Sequence, residues 1–246
     1  MAAPALVALA PGSRDPRTTR TVTALVAEVK AQRPDLKVER AFLHTRPELE
    51  AVVGRLVKAG HDEIVVVPLT LTDTAGTAAE TAAAVEAAGA AHPGVQVRAT
   101  APLGLEACFL EVLDVRMREA LSASRVRELD ALVLAAAGTS DPLANQAVAR
   151  LARLWGTHHK LPVTAAYATS APPATGEAVR AFRAEGRRHI AVASLFLAPG
   201  PLTDRAAELA LEAGAIAVAE PLGAHPEVAR TVLARYAVGA VELVPV

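Results

Sequence analysis

Two stretches of the chain decide its fold: ALVALAPGSRDP at residues 5–16 and ALVLAAAGTSDP at residues 131–142. Each begins with six apolar residues and then places glycine, a hydroxyl residue, aspartate and proline at the same positions. Three further pairs of similar segments follow in the same order, the last being Pro-Leu-Gly at 102–104 and 221–223. Because chance would not preserve this order, the sequence predicts a duplicated domain with halves 1–123 and 124–246, joined near residues 121–128.

Each half is predicted to run strand–helix four times. The strands of the first half are short apolar runs without polar alternation, expected at 6–10, 38–43, 64–71 and 95–99. Such runs are typical of parallel sheets covered by helices on both faces. The carboxyl ends of parallel strands meet at one edge, where open α/β sheets bind ligands. We therefore expect an α/β fold of two parallel-sheet domains with a ligand cleft between their edges.

The composition excludes several classes of protein. The net charge is −1 and aromatic residues are 3% of the chain, so neither a basic field for nucleic acid or membranes nor a base-stacking platform is expected. Cys108 is the only cysteine, which excludes an intrachain disulfide and fits a reducing compartment. The N-terminus does not resemble a signal peptide, and the apolar runs are too short to span a membrane. We expect a cytoplasmic protein.

Polar residues follow the predicted strands of the first half. The loop after strand one contains Ser13, Arg14 and Asp15. Asp15 is expected to cap the next helix. Arg14, together with the N-terminus of that helix, would attract a carboxylate or phosphate. His44 and Arg46 follow strand two, and His44 is either a ligand or base or an ordinary solvated histidine.

The loops after strand three differ between the halves. Asp73 and Thr74 give a polar loop in the first half, whereas residues 196–205 of the second half are apolar and proline-rich, as expected of a cleft wall. His158 and His159 lie where a helix gives way to a strand and are expected to be exposed. The common nucleotide-binding fingerprints and the serine nucleophile elbow are missing from the sequence.

The GSRDP loop, the AAGTSDP loop, the LFLAPGPLTDR segment and the closing AEPLGAHPEVARTVLARY resemble the sirohydrochlorin chelatase family over nearly the whole chain. The resemblance implies two chelatase-like, flavodoxin-like domains and a lyase that inserts Co²⁺ or Fe²⁺ into sirohydrochlorin for cobalamin or sirohaem synthesis. It also implies a small-molecule tetrapyrrole as partner, neither nucleic acid nor membrane, a monomer, and a transient metal ion in place of a tightly bound cofactor.

This chain departs from the family at the residues that carry the chemistry. The family places two histidines and an acidic residue at positions that correspond here to Pro11, Gly76 and His44. The matching positions of the second half hold, in the same order, Ala137, Leu202 and Thr169. Metal insertion needs lone pairs for the ion and a base for two pyrrole protons. Proline and glycine side chains offer neither.

Two sets of residues remain as predictions. His44 is the candidate catalytic residue and, with Asp73 and Glu80, the candidate metal site, provided that Glu80 faces the cleft from the start of its helix. The tetrapyrrole would be contacted by a polar set consisting of Ser13, Arg14, Arg46, Asp73, Thr74 and Arg205. The three arginines of this set would bind its carboxylates. Three functions stay open. The chain is an enzyme with altered metal insertion, a non-catalytic protein that carries a tetrapyrrole or metal or acts as a regulator, or a structural or partner-binding protein. The sequence therefore leaves enzyme activity undecided.

Overall fold

The fold was analysed in a computed structural model that describes residues 3–74, 76–125 and 128–243. Residues 126 and 127 of the predicted joint lie outside the described residues. The strands are β1 Ala5–Ala10, β2 Val38–Phe42, β3 Glu63–Pro68, β4 Gln96–Ala99, β5 Ala131–Ala136, β6 Val163–Tyr167, β7 Ile190–Leu195 and β8 Ala217–Val218. The helices are α1 Pro16–Gln32, α2 Leu49–Lys58, α3 Thr77–Ala91, α4 Phe109–Ala123, α5 Pro142–His159, α6 Thr175–Ala184, α7 Pro201–Glu212 and α8 Pro226–Leu243.

The strands form two four-stranded parallel sheets, with orders β2-β1-β3-β4 and β6-β5-β7-β8. In the first sheet Leu6 of β1 is paired with Val38 on one side and Val65 on the other. Every residue of β1 and of β5 is buried, because helices cover both faces of these central strands. The predicted α/β class and the duplicated, flavodoxin-like arrangement are confirmed.

The helices that follow β1 and β5 begin in the same way. Asp15 accepts a hydrogen bond from the amide of Arg17 at 2.8 Å, and Asp141 accepts one from the amide of Leu143 at 2.9 Å. A proline follows each aspartate at the first helical position, where its missing N–H costs nothing. The repeated Asp-Pro pair is therefore a helix start signal, as predicted.

The chain packs into two compact units that differ from the sequence halves 1–123 and 124–246. The first unit is Met1–Leu71, Gly76–Gly104 and Ala224–Val246; the second is Thr72–Ala75 and Leu105–Gly223. Helix α8 packs against β3, β4 and α1, and α4 packs against β7 and β8. The last helix of each half therefore covers the sheet of the other half.

Candidate functional site

The candidate site lies at the carboxyl edge of the first sheet, where the loops after β1 and β2 are in contact. The amide of His44 donates to the carbonyl oxygen of Pro11 at 3.0 Å. Gly12 has a φ of +84°, and a Cβ there would lie 2.6 Å from Oγ1 of Thr45. Glycine thus allows the second loop to close over the first, which fixes the backbone of His44 at the edge.

His44 and Glu80 form the central pair of this edge. Glu80 lies in the first turn of α3, and its Oε2 is 3.2 Å from Nε2 of His44. The His44 side chain is 54% exposed and that of Glu80 is 47% exposed, so both can exchange their mutual contact for a ligand from solvent. Glu80 therefore contacts His44 from the start of its helix, and the expectation that it faces a cleft stays a prediction.

The third predicted metal ligand, Asp73, belongs to the other compact unit. Asp73 is exposed and belongs to a short segment that groups with the second unit, as does Thr74. Among the residues that the structure describes, one group of three or more potential ligands converges, and it consists of Asp114, His158 and His159. The three-residue cluster of His44, Asp73 and Glu80 stays a prediction, because Asp73 and the His44–Glu80 pair belong to different units.

The loop after β1 uses its own polar groups internally. The hydroxyl of Ser13 accepts a hydrogen bond from the amide of Asp15 at 3.1 Å. The Arg17 guanidinium donates to the Asp15 carboxylate and, with the Arg17 amide, holds the pKa of that carboxyl below its usual range. The N-terminus of α1 is thus capped by the chain's own carboxylate, and attraction of a ligand carboxylate to this loop stays a prediction.

Two predicted arginines remain available at this edge. Arg14 and Arg46 are exposed and form no ion pair within the described ranges. Arg205, the predicted cation of the second half, lies in α7 with its side chain 60% exposed, and its Nη1 is 3.7 Å from Oε2 of Glu208. Such an exposed pair is weak and leaves the guanidinium accessible.

The structure confirms one part of the residue matching between halves and corrects another. The amide of Thr169 donates to the carbonyl oxygen of Ala137 at 2.9 Å, which repeats the contact between His44 and Pro11. The match of Gly76 with Leu202 is wrong, because the residue that precedes α7 as Gly76 precedes α3 is Gly200. Asp204 consequently occupies the position equivalent to that of Glu80.

Sequence reasoning missed two features. Oγ1 of Thr45 is buried beside Gly12 without a hydrogen-bond partner in the described part of the chain. The sequence signal that could have identified Thr45 is its position next to His44. The predicted exposure of His158 and His159 is confirmed, but their neighbour Asp114 was missed. Asp114 lies in α4, which the sequence halves assign to the other domain.

None of the described helices is both long enough and apolar enough to cross a membrane. The model of the CbiX family matches residues 5–120 and again 131–238. A sirohydrochlorin cobaltochelatase of Priestia megaterium is 28% identical over 176 residues, which are 70% of this chain and 57% of that protein. This chain therefore matches little more than half the length of that relative.

Solved structures agree with the fold. SirB from Bacillus subtilis with Fe³⁺ has a TM-score of 0.80 at 22% identity, with 98% of this chain and 96% of that chain covered. CbiX, described as the terminal enzyme of sirohaem biosynthesis in denitrifying bacteria, has a TM-score of 0.69 at 19% identity, with 98% and 100% covered. The two family matches span both repeats, and the chain belongs to the CbiX family of sirohydrochlorin chelatase-like proteins.

Proposed function

We propose that this chain binds a polycarboxylate tetrapyrrole of the sirohydrochlorin class and transfers a divalent ion to it through His44 and Glu80. The supporting observation is the 3.2 Å contact between Nε2 of His44 and Oε2 of Glu80 at the carboxyl edge of the first sheet. This edge is where open α/β sheets bind their ligands. The expected location of the macrocycle in a cleft between the domains stays a prediction.

The pair offers the two kinds of group that metal insertion needs. A neutral imidazole nitrogen and a carboxylate oxygen are suitable ligands for Co²⁺ or Fe²⁺, and each can also accept a proton. As the ion enters the macrocycle, two pyrrole N–H protons leave, so one imidazole and one carboxylate match the number of protons to be removed. The chain would hold the metal transiently, as a substrate.

The ligand carboxylates would be bound by exposed cations near the pair. Arg14 and Arg46 belong to the loops after β1 and β2, and Arg46 is two residues from His44. Planar guanidinium groups suit carboxylates because they bind them with two parallel hydrogen bonds. Thr45, whose buried hydroxyl has no partner among the described residues, adds a polar group beside them. We propose this arginine-bearing edge as the tetrapyrrole contact.

A carrier or regulator without catalysis is the second candidate. The observation that favours it is the pair of residues Pro11 and Gly76, which replace two side chains that the family resemblance predicts to be histidines. In that case the arginines would still bind the macrocycle, but the rate of metal insertion would not rise. For either function we propose a monomer in the cytoplasm, acting in cobalamin or sirohaem metabolism.

The experiment is an absorbance titration of sirohydrochlorin with the purified protein, followed by addition of Co²⁺ or Fe²⁺. We expect a saturable spectral shift on binding and a metal-insertion rate above that of free sirohydrochlorin. His44→Ala should lower the insertion rate by about 10²-fold, the lower end of the usual contribution of a general base, with tetrapyrrole affinity retained. Glu80→Gln should lower the rate in the same direction.

Two variants provide matched controls. His61 precedes β3 at the opposite edge of the same sheet, and Glu86 lies further along α3. His61→Ala and Glu86→Gln should insert metal at the wild-type rate. A spectral shift without acceleration would replace the first candidate by the carrier. The absence of any shift would exclude both candidates and leave a structural or partner-binding role.

A further inference from the structure

A second group of potential metal ligands lies in the second unit, at the end of α5. We call Asp114, His158 and His159 the His-His-Asp cluster. One donor atom from each residue lies within 4.8 Å of the donors of the other two, and Oδ1 of Asp114 is 2.7 Å from Nε2 of His159. The histidines end α5 just before β6, which places the cluster at the amino edge of its sheet. It is therefore separate from the carboxyl edge at which parallel sheets bind their ligands.

A buried tryptophan orients the carboxylate of the cluster. The side chain of Trp155 is almost completely buried, and its indole N–H donates to Oδ1 of Asp114 at 2.7 Å. The Trp155 and His159 rings meet edge to face, with centroids 5.7 Å apart. A hydrogen bond that holds a ligating group from behind is the usual support of a metal site. Trp155 provides this support here.

The surroundings favour a cation at one side of the cluster. His158 and His159 lie in the last turn of α5, where the aligned carbonyl groups carry partial negative charge. An apolar groove adjoins the cluster, with Met117, Leu132 and Leu161 in its wall. The positive charges nearby are Arg118, whose Nε donates to the main-chain oxygen of Asp114, and the exposed Lys160. Both belong to flexible side chains that can extend into solvent.

The donor set determines the class of ion. Two imidazole nitrogens and one carboxylate oxygen suit Zn²⁺, Co²⁺ and Ni²⁺, whereas Mg²⁺ and Ca²⁺ prefer oxygen ligands alone. Bonds to such ions are about 2.0–2.2 Å long, so the donors must approach one another when the ion binds. The approach requires rotation of His158, which is exposed, and replacement of the contact between His159 and Asp114 by two bonds to the ion.

We propose that Asp114, His158 and His159 bind one divalent ion of the Co²⁺, Ni²⁺ and Zn²⁺ group at the amino edge of the second sheet. Three protein ligands leave the remaining coordination positions to water. The site is independent of the proposed tetrapyrrole function, and its test uses no tetrapyrrole. A positive or negative result therefore leaves the role of His44 and Glu80 unaffected.

Trp155 makes this site directly observable, because it is the only tryptophan of the chain. Co²⁺ and Ni²⁺ have partly filled d shells and quench a nearby excited indole, whereas Zn²⁺ does not. We expect titration of the full chain with Co²⁺ or Ni²⁺ to quench the fluorescence saturably at one ion per chain. Added Zn²⁺ should restore the fluorescence by competition, and calorimetry with Zn²⁺ on the His44→Ala variant, which lacks the first proposed metal pair, should give the same stoichiometry.

The double variant His158→Ala with His159→Ala should weaken binding at least about tenfold, since it removes two of three ligands. Asp114→Asn keeps an acceptor for Trp155 but removes the negative charge, and it should also weaken binding. His189→Ala removes an exposed histidine of the same unit and should titrate as wild type does. Unsaturable quenching, or equal affinity in the double variant, would overturn the proposal.

Discussion

Arg116 of α4 and Arg235 of α8 make equivalent contacts with the Pro-Leu-Gly segment of the opposite repeat. Nε of Arg235 donates to the carbonyl oxygen of Pro102 at 2.8 Å, and its Nη2 donates to that of Leu103 at 2.9 Å. Nη2 of Arg116 donates to the carbonyl oxygen of Leu222 at 3.2 Å. Each helix follows one such segment in sequence and binds the other. The exchanged helices are therefore attached through the same motif in both compact units.

Removal of Arg235 should destabilise the protein more than removal of Arg116. Hydrogen bonds from a charged donor contribute about 1.5–3 kcal/mol, and Arg235→Ala removes two short ones. Arg116→Ala removes one longer bond, and its additional contact with Glu119 is exposed and adds little. Denaturant unfolding of the two variants measures the difference. An equal or larger loss in Arg116→Ala would contradict this account of the contacts.

The repeated local signals explain why most of the fold was predictable. Apolar runs and Asp-Pro caps act through their immediate neighbours, so one sequence suffices to find them. The exchange of α4 and α8 was not predictable, because each helix follows the same motif and either sheet could accept its apolar face. That exchange brings Asp114 to His159, and the second candidate metal site was missed for this reason.

The first candidate site was only partly predictable for a different reason. His44 and Glu80 could be chosen because the ends of parallel strands and the starts of the following helices meet at one edge. The unit to which Asp73 belongs depends on the path of the loop after β3, which carries no periodic signal. The match of Gly76 with Leu202 was wrong because the loop between β3 and α3 is longer than the loop between β7 and α7.

Gly138 should tolerate alanine less well than its counterpart Gly12. Both have φ near +83°, which costs an alanine about 1–2 kcal/mol. A Cβ at Gly138 would also lie 2.1 Å from the carbonyl oxygen of Thr169, which belongs to the backbone. At Gly12 the closest atom is Oγ1 of Thr45, a side-chain atom that can rotate away. Denaturant unfolding should give a lower free energy of unfolding for Gly138→Ala than for Gly12→Ala. The opposite order would contradict the prediction.

Alanine substitutions at two glycines inside helices should change the stability of the protein in opposite directions. A Cβ added at Gly89 of α3 would meet nothing within 4 Å, so Gly89→Ala should stabilise the protein by about 0.5–1 kcal/mol through helix propensity. Gly239 of α8 lies against the first sheet, and its Cβ would be 2.6 Å from Thr100 and 2.8 Å from Val65. Gly239→Ala should therefore destabilise the protein by about 1–3 kcal/mol. Thermal melting of both variants tests the packing of α8, and a stabilised Gly239→Ala would argue against it.

Substitution of Asp15 should separate its capping role from its charge. Arg17 lowers the pKa of Asp15 in the folded protein, so the carboxylate stabilises the fold above roughly pH 4 and loses this effect as the pH falls through its folded pKa. Asp15→Asn keeps a good cap. Its melting temperature should lie below that of wild type at pH 7 and approach it near pH 3. Asp15→Ala also loses the cap, so its melting temperature should be lower than that of Asp15→Asn at both pH 7 and pH 3. If the difference in melting temperature between wild type and Asp15→Asn does not change with pH, the charge contributes nothing to stability.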